Sequence, residues 1–343
     1  MRVLIIGGTA FIGPHVVRNL VSFGHDVTLF HRGEHEPELP NSVRHVHSAS
    51  AAFPILSFPE ELVSWKPDVI LHMVAMGERD AEAVVRAFKG VTRRLVVPSS
   101  GDVYAAYGVL TGSESGAVRS ELLLREDSPL REHFYPYRKI AKGPDDWLYH
   151  YDKILMERVV MNNSELPATI LRLPAVYGPG DTNHRLFSQL KRMDDNRPAI
   201  LLDENQAHWR WSHGYVENIA AAIVLAVTND RASGRIFNVG EDSVPTTAER
   251  VRLLATPVGW SGKIVTLPRT SLPLHLRDAH DYSQDLAYDT GRIRSELGYR
   301  AVVPVDEGLR RTVAWLRAHP PALDAAQYDY AAEDAALAIA ETP

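Results

Sequence analysis

A tyrosine and a lysine four residues apart are the residues of this chain best suited to acid–base chemistry. They lie in Tyr149-His150-Tyr151-Asp152-Lys153, and we predict a helix from about Trp147 to Met161 around them. On a helix, residues four apart share a face, and an ammonium group beside a phenol favours the phenolate. Tyr149 is therefore predicted to exchange a proton with a substrate hydroxyl, while Lys153 lowers the pKa of this phenol from about 10.

The same spacing occurs in Tyr135-Pro136-Tyr137-Arg138-Lys139. We predict no sustained helix there, because this proline and the following Gly143-Pro144 interrupt helical structure. The copy at Tyr149 has Asp145 and Asp146 before it as candidate helix caps. Residues 135–138 either border a substrate pocket or form a surface loop, and both interpretations stay open at this point.

A serine pair follows an apolar run upstream. Ser99-Ser100 ends the stretch that begins at Arg94, which we predict to be a buried strand. Ligands of open parallel sheets bind where the strands end at their carboxyl termini. Ser100 is therefore predicted to hydrogen-bond the same substrate oxygen as Tyr149.

The N-terminus runs from an apolar strand into Gly7-Gly8-Thr9-Ala10-Phe11-Ile12-Gly13. Glycines between a strand and a helix allow a tight turn and the close approach of a pyrophosphate, so they predict a dinucleotide site. A purely structural turn is the alternative. No acidic residue ends the second strand, and His31-Arg32 stands there instead. We expect NADP or NAD as cofactor, with NADP favoured because Arg32 can meet a 2′-phosphate; a solvated surface arginine is the alternative.

Short apolar runs alternate with helical stretches, which is typical of an α/β protein with a parallel sheet. The predicted strands are Val3–Ile6, Val27–Phe30, Val43–His47, Val69–His72, Arg94–Pro98 and Ala168–Leu173. We predict a Rossmann-type doubly wound sheet with a smaller C-terminal lobe that binds the substrate. The expected domains are a dinucleotide-binding domain at 1–173 with an insert at about 108–146, a lobe at 174–320 of which about 205–230 returns to the first domain, and a tail at 321–343.

Composition narrows the class of protein. The chain has 343 residues, a net charge of −6 and no cysteine, which excludes disulfides, thiol catalysis and cysteine-based zinc sites. The acidic balance argues against a nucleic-acid partner, and no apolar run predicts a membrane span. The 15 histidines form no His-Glu-x-x-His pattern, so we predict no metal site. We expect a cytoplasmic protein without a signal segment.

Several motifs together resemble the extended short-chain dehydrogenase/reductase family, in an atypical form of its NAD(P)-dependent epimerase/dehydratase group. The resemblance reaches to about residue 316. Besides the glycine turn and Tyr149 to Lys153, it is carried by Pro67-Asp68-Val69-Ile70-Leu71-His72, Ser99-Ser100-Gly101-Asp102-Val103-Tyr104, Arg172-Leu173-Pro174-Ala175-Val176-Tyr177-Gly178-Pro179-Gly180, Phe237-Asn238-Val239-Gly240, Leu297-Gly298-Tyr299 and Glu307-Gly308-Leu309.

The resemblance, taken with the patterns above, implies a set of site residues. The catalytic residues would be Ser100, Tyr149 and Lys153, with Asp102 either an acid or base or a local backbone cap. The cofactor would contact Gly7, Thr9, Ala10, Phe11, Ile12, Gly13, His31, Arg32, Met73, Val74, Ala75, Ser99, Tyr149, Lys153, Pro174, Ala175 and Val176. The substrate would contact Asp102, Tyr104 and Arg210.

The expected function is that of an NAD(P)-dependent epimerase or related oxidoreductase acting on a hydroxyl or carbonyl of a sugar or sugar-like small molecule. An NADPH-dependent carbonyl reductase and a sugar-nucleotide dehydratase are the enzymatic alternatives; in dehydratases of the family a glutamate stands where this chain has Asp102. A dinucleotide sensor or RNA-associated protein on the same fold is the non-enzymatic alternative. Ala175 replaces an asparagine that is common in UDP-sugar epimerases, so the substrate stays open. The resemblance also implies a homodimer.

Overall fold

A computed structural model describes residues 1–50, 53–115 and 123–340 of the chain. Part of the predicted insert, residues 116–122, and the end of the predicted tail, residues 341–343, lie outside this range. The strands are β1 (Arg2–Ile6), β2 (Asp26–His31), β3 (Arg44–His47), β4 (Val69–His72), β5 (Arg94–Ser100), β6 (Ala168–Leu173), β7 (Ala175–Tyr177), β8 (Ala199–Asp203), β9 (His213–Tyr215), β10 (Ile236–Asn238) and β11 (Lys263–Leu267).

Helices connect these strands. They are α1 (Ile12–Ser22), α2 (Glu60–Ser64), α3 (Glu78–Phe88), α4 (Ala105–Leu110), α5 (Lys153–Met161), α6 (Phe187–Asp194), α7 (Glu204–His208), α8 (Val216–Thr228), α9 (Thr247–Val258), α10 (Gly291–Leu297), α11 (Val305–Ala318) and α12 (Tyr330–Ala340). Within the described ranges, no helix combines the length and the apolar character that crossing a bilayer requires.

Seven strands form one parallel sheet in the order β10-β6-β5-β4-β1-β2-β3. The chain leaves β1 on one side to form β2 and β3 and then crosses to β4 on the other side, which is the doubly wound topology. The predicted fold class and the six predicted strands are confirmed. The crossing between β1 and β4 creates a crevice at the carboxyl edge of the sheet, where both strands end.

Both faces of this sheet are buried, and β1 shows how the sequence achieves it. Val3 and Ile5 pack into the core formed with α1 and α8, whereas Leu4 and Ile6 pack into the core formed with α3 and α5. Since successive residues of a strand point to opposite faces, an unbroken apolar run is needed to fill both cores.

The C-terminal part builds a smaller lobe around the parallel pair β8–β11 and the helices α6 and α9. The predicted tail contains α12, whose Ala336 and Leu337 pack against the apolar side of β8. Glu333 of the same helix is 2% exposed and forms an ion pair of 2.6 Å with Arg192 in α6. A buried carboxylate needs such a partner, so this pair fixes where α12 docks.

The segment around the predicted catalytic helix departs from the expectation. A 3-10 turn covers Trp147–Tyr149, and the α-helix begins only at Lys153. Asp152 has an extended backbone, and its Oδ1 accepts from the amides of Ile154 at 2.9 Å and Leu155 at 3.2 Å. It is therefore the helix N-cap. The predicted continuous helix is wrong, because a residue in this capping conformation cannot lie inside a helix.

Candidate active site

The glycine turn leaves no room for a side chain at two of its positions. Gly7 has φ of +85°, and an added Cβ would meet Val74 Cγ1 at 2.9 Å. At Gly13, an added Cβ would lie 2.3 Å from the carbonyl oxygen of Gly8. The start of α1 thus packs directly on the turn, as a pyrophosphate site at a helix N-terminus requires. The residues present fit a dinucleotide.

The other predicted cofactor residues lie along the same edge of the sheet. Met73, Val74 and Ala75 follow the end of β4, and Pro174 separates β6 from β7. Arg32 follows β2, where it forms an ion pair of 2.7 Å with Glu34 and lies 4.1 Å from the ring centroid of Phe53. Arg32, the predicted partner of a cofactor 2′-phosphate, is therefore already paired with the carboxylate of Glu34.

Lys153 is buried beneath this edge. Its Nζ donates to the carbonyl oxygen of Ala75 at 2.6 Å and to that of Pro98 at 3.2 Å. Burial lowers the pKa of Lys153 to about 8, although the carboxylates of Asp102, Asp80 and Glu157 act to raise it. Because the ammonium group bonds to the chain just beyond β4 and within β5, Lys153 joins the cofactor edge to the predicted catalytic strand.

Asp102 stands at the centre of a group of phenols. Its Oδ2 accepts from the Tyr151 hydroxyl at 2.8 Å and from the Tyr137 hydroxyl at 3.0 Å, and Tyr137 in turn lies 2.9 Å from the Tyr107 hydroxyl. Burial raises the pKa of Asp102, while the hydrogen bond from Tyr151 opposes that rise. Oδ1 of Asp102 is buried without a hydrogen-bond partner among the described residues. Burial therefore favours the protonated, neutral form of this carboxyl more than water does, as is common for groups that exchange protons.

Ser100 and Tyr151 complete the cluster. Ser100 Oγ accepts from the backbone amide of Asp102 at 3.2 Å. Burial and the charge of Asp102 raise the pKa of Tyr151 well above 10, and a hydrogen bond with Ser100 opposes this. Lys153 Nζ lies 5.8 Å from the centroid of the Tyr151 ring. The structure thus brings Ser100, Asp102, Tyr151 and Lys153 together.

Tyr149 lies elsewhere. Its ring is 4.7 Å from the guanidinium carbon of Arg138 and 5.1 Å from the ring of His150. The expectation that Tyr149 and Lys153 share a helix face is wrong, since the helix begins after Tyr149. Tyr151 was not predicted. The signal that points to it is Asp152, because a capping residue just before the apolar run Ile154-Leu155-Met156 marks the start of the helix. Tyr149 then precedes the helix and does not share a face with Lys153.

A cavity of about 540 Å³ opens between this edge and the smaller lobe. Ser100, Asp102 and Tyr137 line it on one side, so one of the residues 135–138, Tyr137, borders the cavity. The opposite side includes Trp209, Trp211, His213, Arg185 and Arg250. This volume and mixture of aromatic and charged groups suit a polar small molecule.

Two predicted substrate residues lie away from the cavity. Tyr104 is fully buried, and its hydroxyl donates to Asn238 Oδ1 at 2.6 Å. Arg210 is held by the Val244 carbonyl oxygen at 2.6 Å and by Glu249 at 3.6 Å, and it is not among the described residues that line the cavity. The assignment of Tyr104 to the substrate is therefore wrong in this structure, because no surface of its side chain is accessible.

Comparison with known proteins identifies the family. The profile described as "NAD dependent epimerase/dehydratase family" matches residues 3–240. The chain belongs to this family. It is 26% identical to 2'-dehydrokanamycin reductase of Streptomyces kanamyceticus over 84% of this chain and 76% of that one. It is also 26% identical to a dTDP-glucose 4,6-dehydratase of Streptomyces griseus, over 93% of this chain and 94% of that one.

Solved structures give the same fold. UDP-glucose 4-epimerase of Thermotoga maritima, determined with UDP-glucose, matches with a TM-score of 0.62 and 19% identity over 93% of this chain and 99% of that one. At this identity the similarity concerns the fold. The family assignment makes this chain a relative of NAD-dependent epimerases and dehydratases.

Proposed function

We propose that this protein is an oxidoreductase of the epimerase type, acting on a hydroxyl or carbonyl of a sugar or sugar-like substrate. The observation that carries the proposal is the cluster of Ser100, Asp102, Tyr151 and Lys153 at the carboxyl end of β5, beside a cavity of about 540 Å³. A serine, a phenol and an ammonium group next to a dinucleotide turn are the groups that proton exchange at a carbinol oxygen needs.

Each residue has a distinct role in this proposal. Ser100 and Asp102 line the cavity, so they meet the substrate oxygen. The Tyr151 hydroxyl lies behind them and passes a proton to or from Asp102 Oδ2 over 2.8 Å. The glycine turn and Lys153 would hold the dinucleotide, and the bound nicotinamide would supply or accept the hydride. The motif-based assignment of Tyr149 stays a prediction, and the geometry favours Tyr151.

A panel of substrates tests the proposal. Purified protein is incubated with NADPH or NADH and with dTDP-sugars, UDP-sugars and free carbonyl compounds, and products are followed by NMR together with absorbance of the reduced cofactor. An epimerase changes the configuration of the substrate without net oxidation of the cofactor. Stoichiometric oxidation of NADPH would replace this function by that of a carbonyl reductase. If the configuration of the substrate is inverted equally well by a Ser100→Ala variant, the proposed site is rejected.

A dehydratase is the second candidate, and Asp102 favours it. Asp102 lines the cavity and burial raises the pKa of its carboxyl, which suits a group that acts as acid or base in the loss of water. Asp102→Asn is expected to abolish elimination from a dTDP-sugar, and product masses reduced by one water would identify the reaction. If the protein is instead a non-catalytic sensor, the Ser100→Ala variant would keep full biological activity.

We also propose a cytoplasmic homodimer, which fractionation and light scattering would check.

A further inference from the structure

Three histidines and a glutamate meet at the other side of the sheet edge, where β2 and β3 end. His31 and His47 are direct neighbours in the register of this strand pair. His45 lies two residues before His47 and therefore on the same face of β3. Glu36 reaches them from the segment that follows β2. The tertiary pairing of two strands thus gathers residues that are 16 positions apart in the chain.

The donor atoms of the four side chains all lie within 4.8 Å of one another. His31 Nε2 is 3.0 Å from His45 Nδ1, and His47 Nε2 is 2.9 Å from Glu36 Oε1. The same carboxylate lies 3.4 Å from His45 Nδ1 and 3.9 Å from His31 Nε2. A tetrahedral zinc ion with bonds of about 2.0–2.1 Å separates its ligand atoms by about 3.4 Å. The observed separations of 2.9 and 3.0 Å are shorter than this value, that of 3.4 Å equals it and that of 3.9 Å is longer.

We propose that His31, Glu36, His45 and His47 bind one divalent transition metal ion with the preferences of zinc. Three imidazoles and one carboxylate match this class of ion, whereas Mg²⁺ and Ca²⁺ prefer oxygen ligands. Four protein ligands leave no open position, so the ion would join β2, β3 and the segment between them. This replaces the sequence-based prediction that the chain has no metal site.

The exposure of the ligands suits ion entry. The His31 side chain is 3% exposed and forms the floor of the cluster, whereas those of Glu36 and His47 are 51% and 56% exposed. A hydrated ion can therefore lose its waters stepwise to the outer ligands. Arg32 and Arg44 adjoin the proposed ligands His31 and His45 in sequence. Arg32 is paired with Glu34 at 2.7 Å and Arg44 with Glu61, which reduces their repulsion of a metal.

A hydrogen-bonded cluster without metal is the competing interpretation. The Gly33 amide donates to His31 Nδ1 at 3.2 Å, which places the proton of a neutral His31 on Nε2. Metal binding at Nε2 moves that proton to Nδ1, so the contact with the Gly33 amide must open. Gly33 is exposed and has φ of +79°, which allows this local change without disturbing either strand.

Metal binding by the full chain tests the proposal. Protein stripped with a chelator is titrated with ZnCl₂ in equilibrium dialysis, and Co²⁺ is added separately so that its visible spectrum reports tetrahedral coordination. Wild type is expected to bind one Zn²⁺ per chain. His45→Gln combined with His47→Gln removes two ligands and is expected to weaken binding about a hundredfold or more. Both side chains are at least partly exposed, so this variant is expected to fold.

His35→Gln is the matched control, because His35 is exposed in the same segment and lies outside the four-residue set. It is expected to bind Zn²⁺ like the wild type, and circular dichroism verifies the fold of both variants. Equal Zn²⁺ affinity of the double variant and the wild type would overturn the proposal, as would the absence of stoichiometric binding by wild type. Because metal content is the readout, the outcome is independent of the proposed enzymatic function.

Discussion

Two polar clusters occupy the same edge of one sheet, and burial makes them different. The cluster at β5, formed by Ser100, Asp102, Tyr151 and Lys153, is enclosed between the sheet and the smaller lobe. The cluster at β2 and β3, formed by His31, Glu36, His45 and His47, opens to solvent at two of its members. Parallel strands end at one edge in both cases, so the topology alone does not explain the difference.

Burial changes what the groups can do. In the β5 cluster, burial raises the pKa of Asp102 and lowers that of Lys153 to about 8, so both groups favour their uncharged forms more than they do in water. In the histidine cluster, a hydrogen bond from His47 is the main cause that lowers the pKa of Glu36. The comparison teaches that enclosure favours proton transfer, whereas a half-open set of donors favours ion binding.

The largest expected effect tests which tyrosine hydroxyl exchanges protons in the β5 cluster. Tyr151→Phe removes the hydroxyl bonded to Asp102 and is expected to lower kcat about 10²–10⁴-fold, the usual contribution of a positioned acid or base. Tyr149→Phe is the matched control and is expected to change kcat no more than about threefold, since Tyr149 contacts Arg138 instead. Steady-state kinetics of both variants decide the matter. The reverse order of effects would restore Tyr149 as the proton donor.

The buried ion pair beneath the cluster offers the next test. Glu157 in α5 accepts from Arg172 Nη2 at 2.8 Å and from Ser99 Oγ at 2.5 Å, which ties the helix to β5 and β6. Glu157→Gln is expected to cost about 3 kcal/mol of unfolding free energy, because it leaves a buried guanidinium without a counter-charge. Glu165→Gln breaks the exposed pair with Lys89 and is expected to cost less than about 1 kcal/mol. Denaturant titration measures both, and equal losses would contradict the argument from burial.

The pH dependence of the reaction sharpens the comparison further. Burial lowers the pKa of Lys153 to about 8, so its ammonium form is present below that pH and is lost as the pH rises through it. The rate of a step that needs this cation is therefore expected to fall above about pH 8. In Lys153→Arg the charge persists, so this limb of the pH–rate profile is expected to disappear. An unchanged limb in the variant would assign it to another group.

The smallest effect is expected at Arg32, beside the histidine cluster. Glu34→Gln removes the carboxylate that pairs with this arginine at 2.7 Å and is expected to tighten NADPH binding about threefold, within the range of exposed ion pairs. NADH binding is expected to stay the same, because NADH has no 2′-phosphate. Fluorescence titration with both cofactors measures the ratio of Kd values. Tighter binding of NADH by the same factor would count against a 2′-phosphate contact.

Much of the fold could be predicted from local patterns. The run from Val3 to Ile6 and the glycines at 7, 8 and 13 specify a buried strand and a tight turn from their own residue types. The capped start of α5 was also readable, through Asp152, but the Tyr-x-x-x-Lys spacing at Tyr149 and the candidate caps Asp145 and Asp146 suggested a longer helix. The short strands β8 and β11 escaped prediction because each is stabilised by its partner in the smaller lobe.

The amino-acid sequence by itself determined the parallel α/β fold, the dinucleotide turn, and the presence of Ser100 and Lys153 near the carboxyl edge of the sheet. These features depend on hydrophobic periodicity and on backbone freedom, which act over a few neighbouring residues. Only the tertiary structure decided that Tyr151 meets Asp102 and that His31 meets His47. Strand register and the enclosure of side chains join residues far apart in the chain, and burial then sets their charge states.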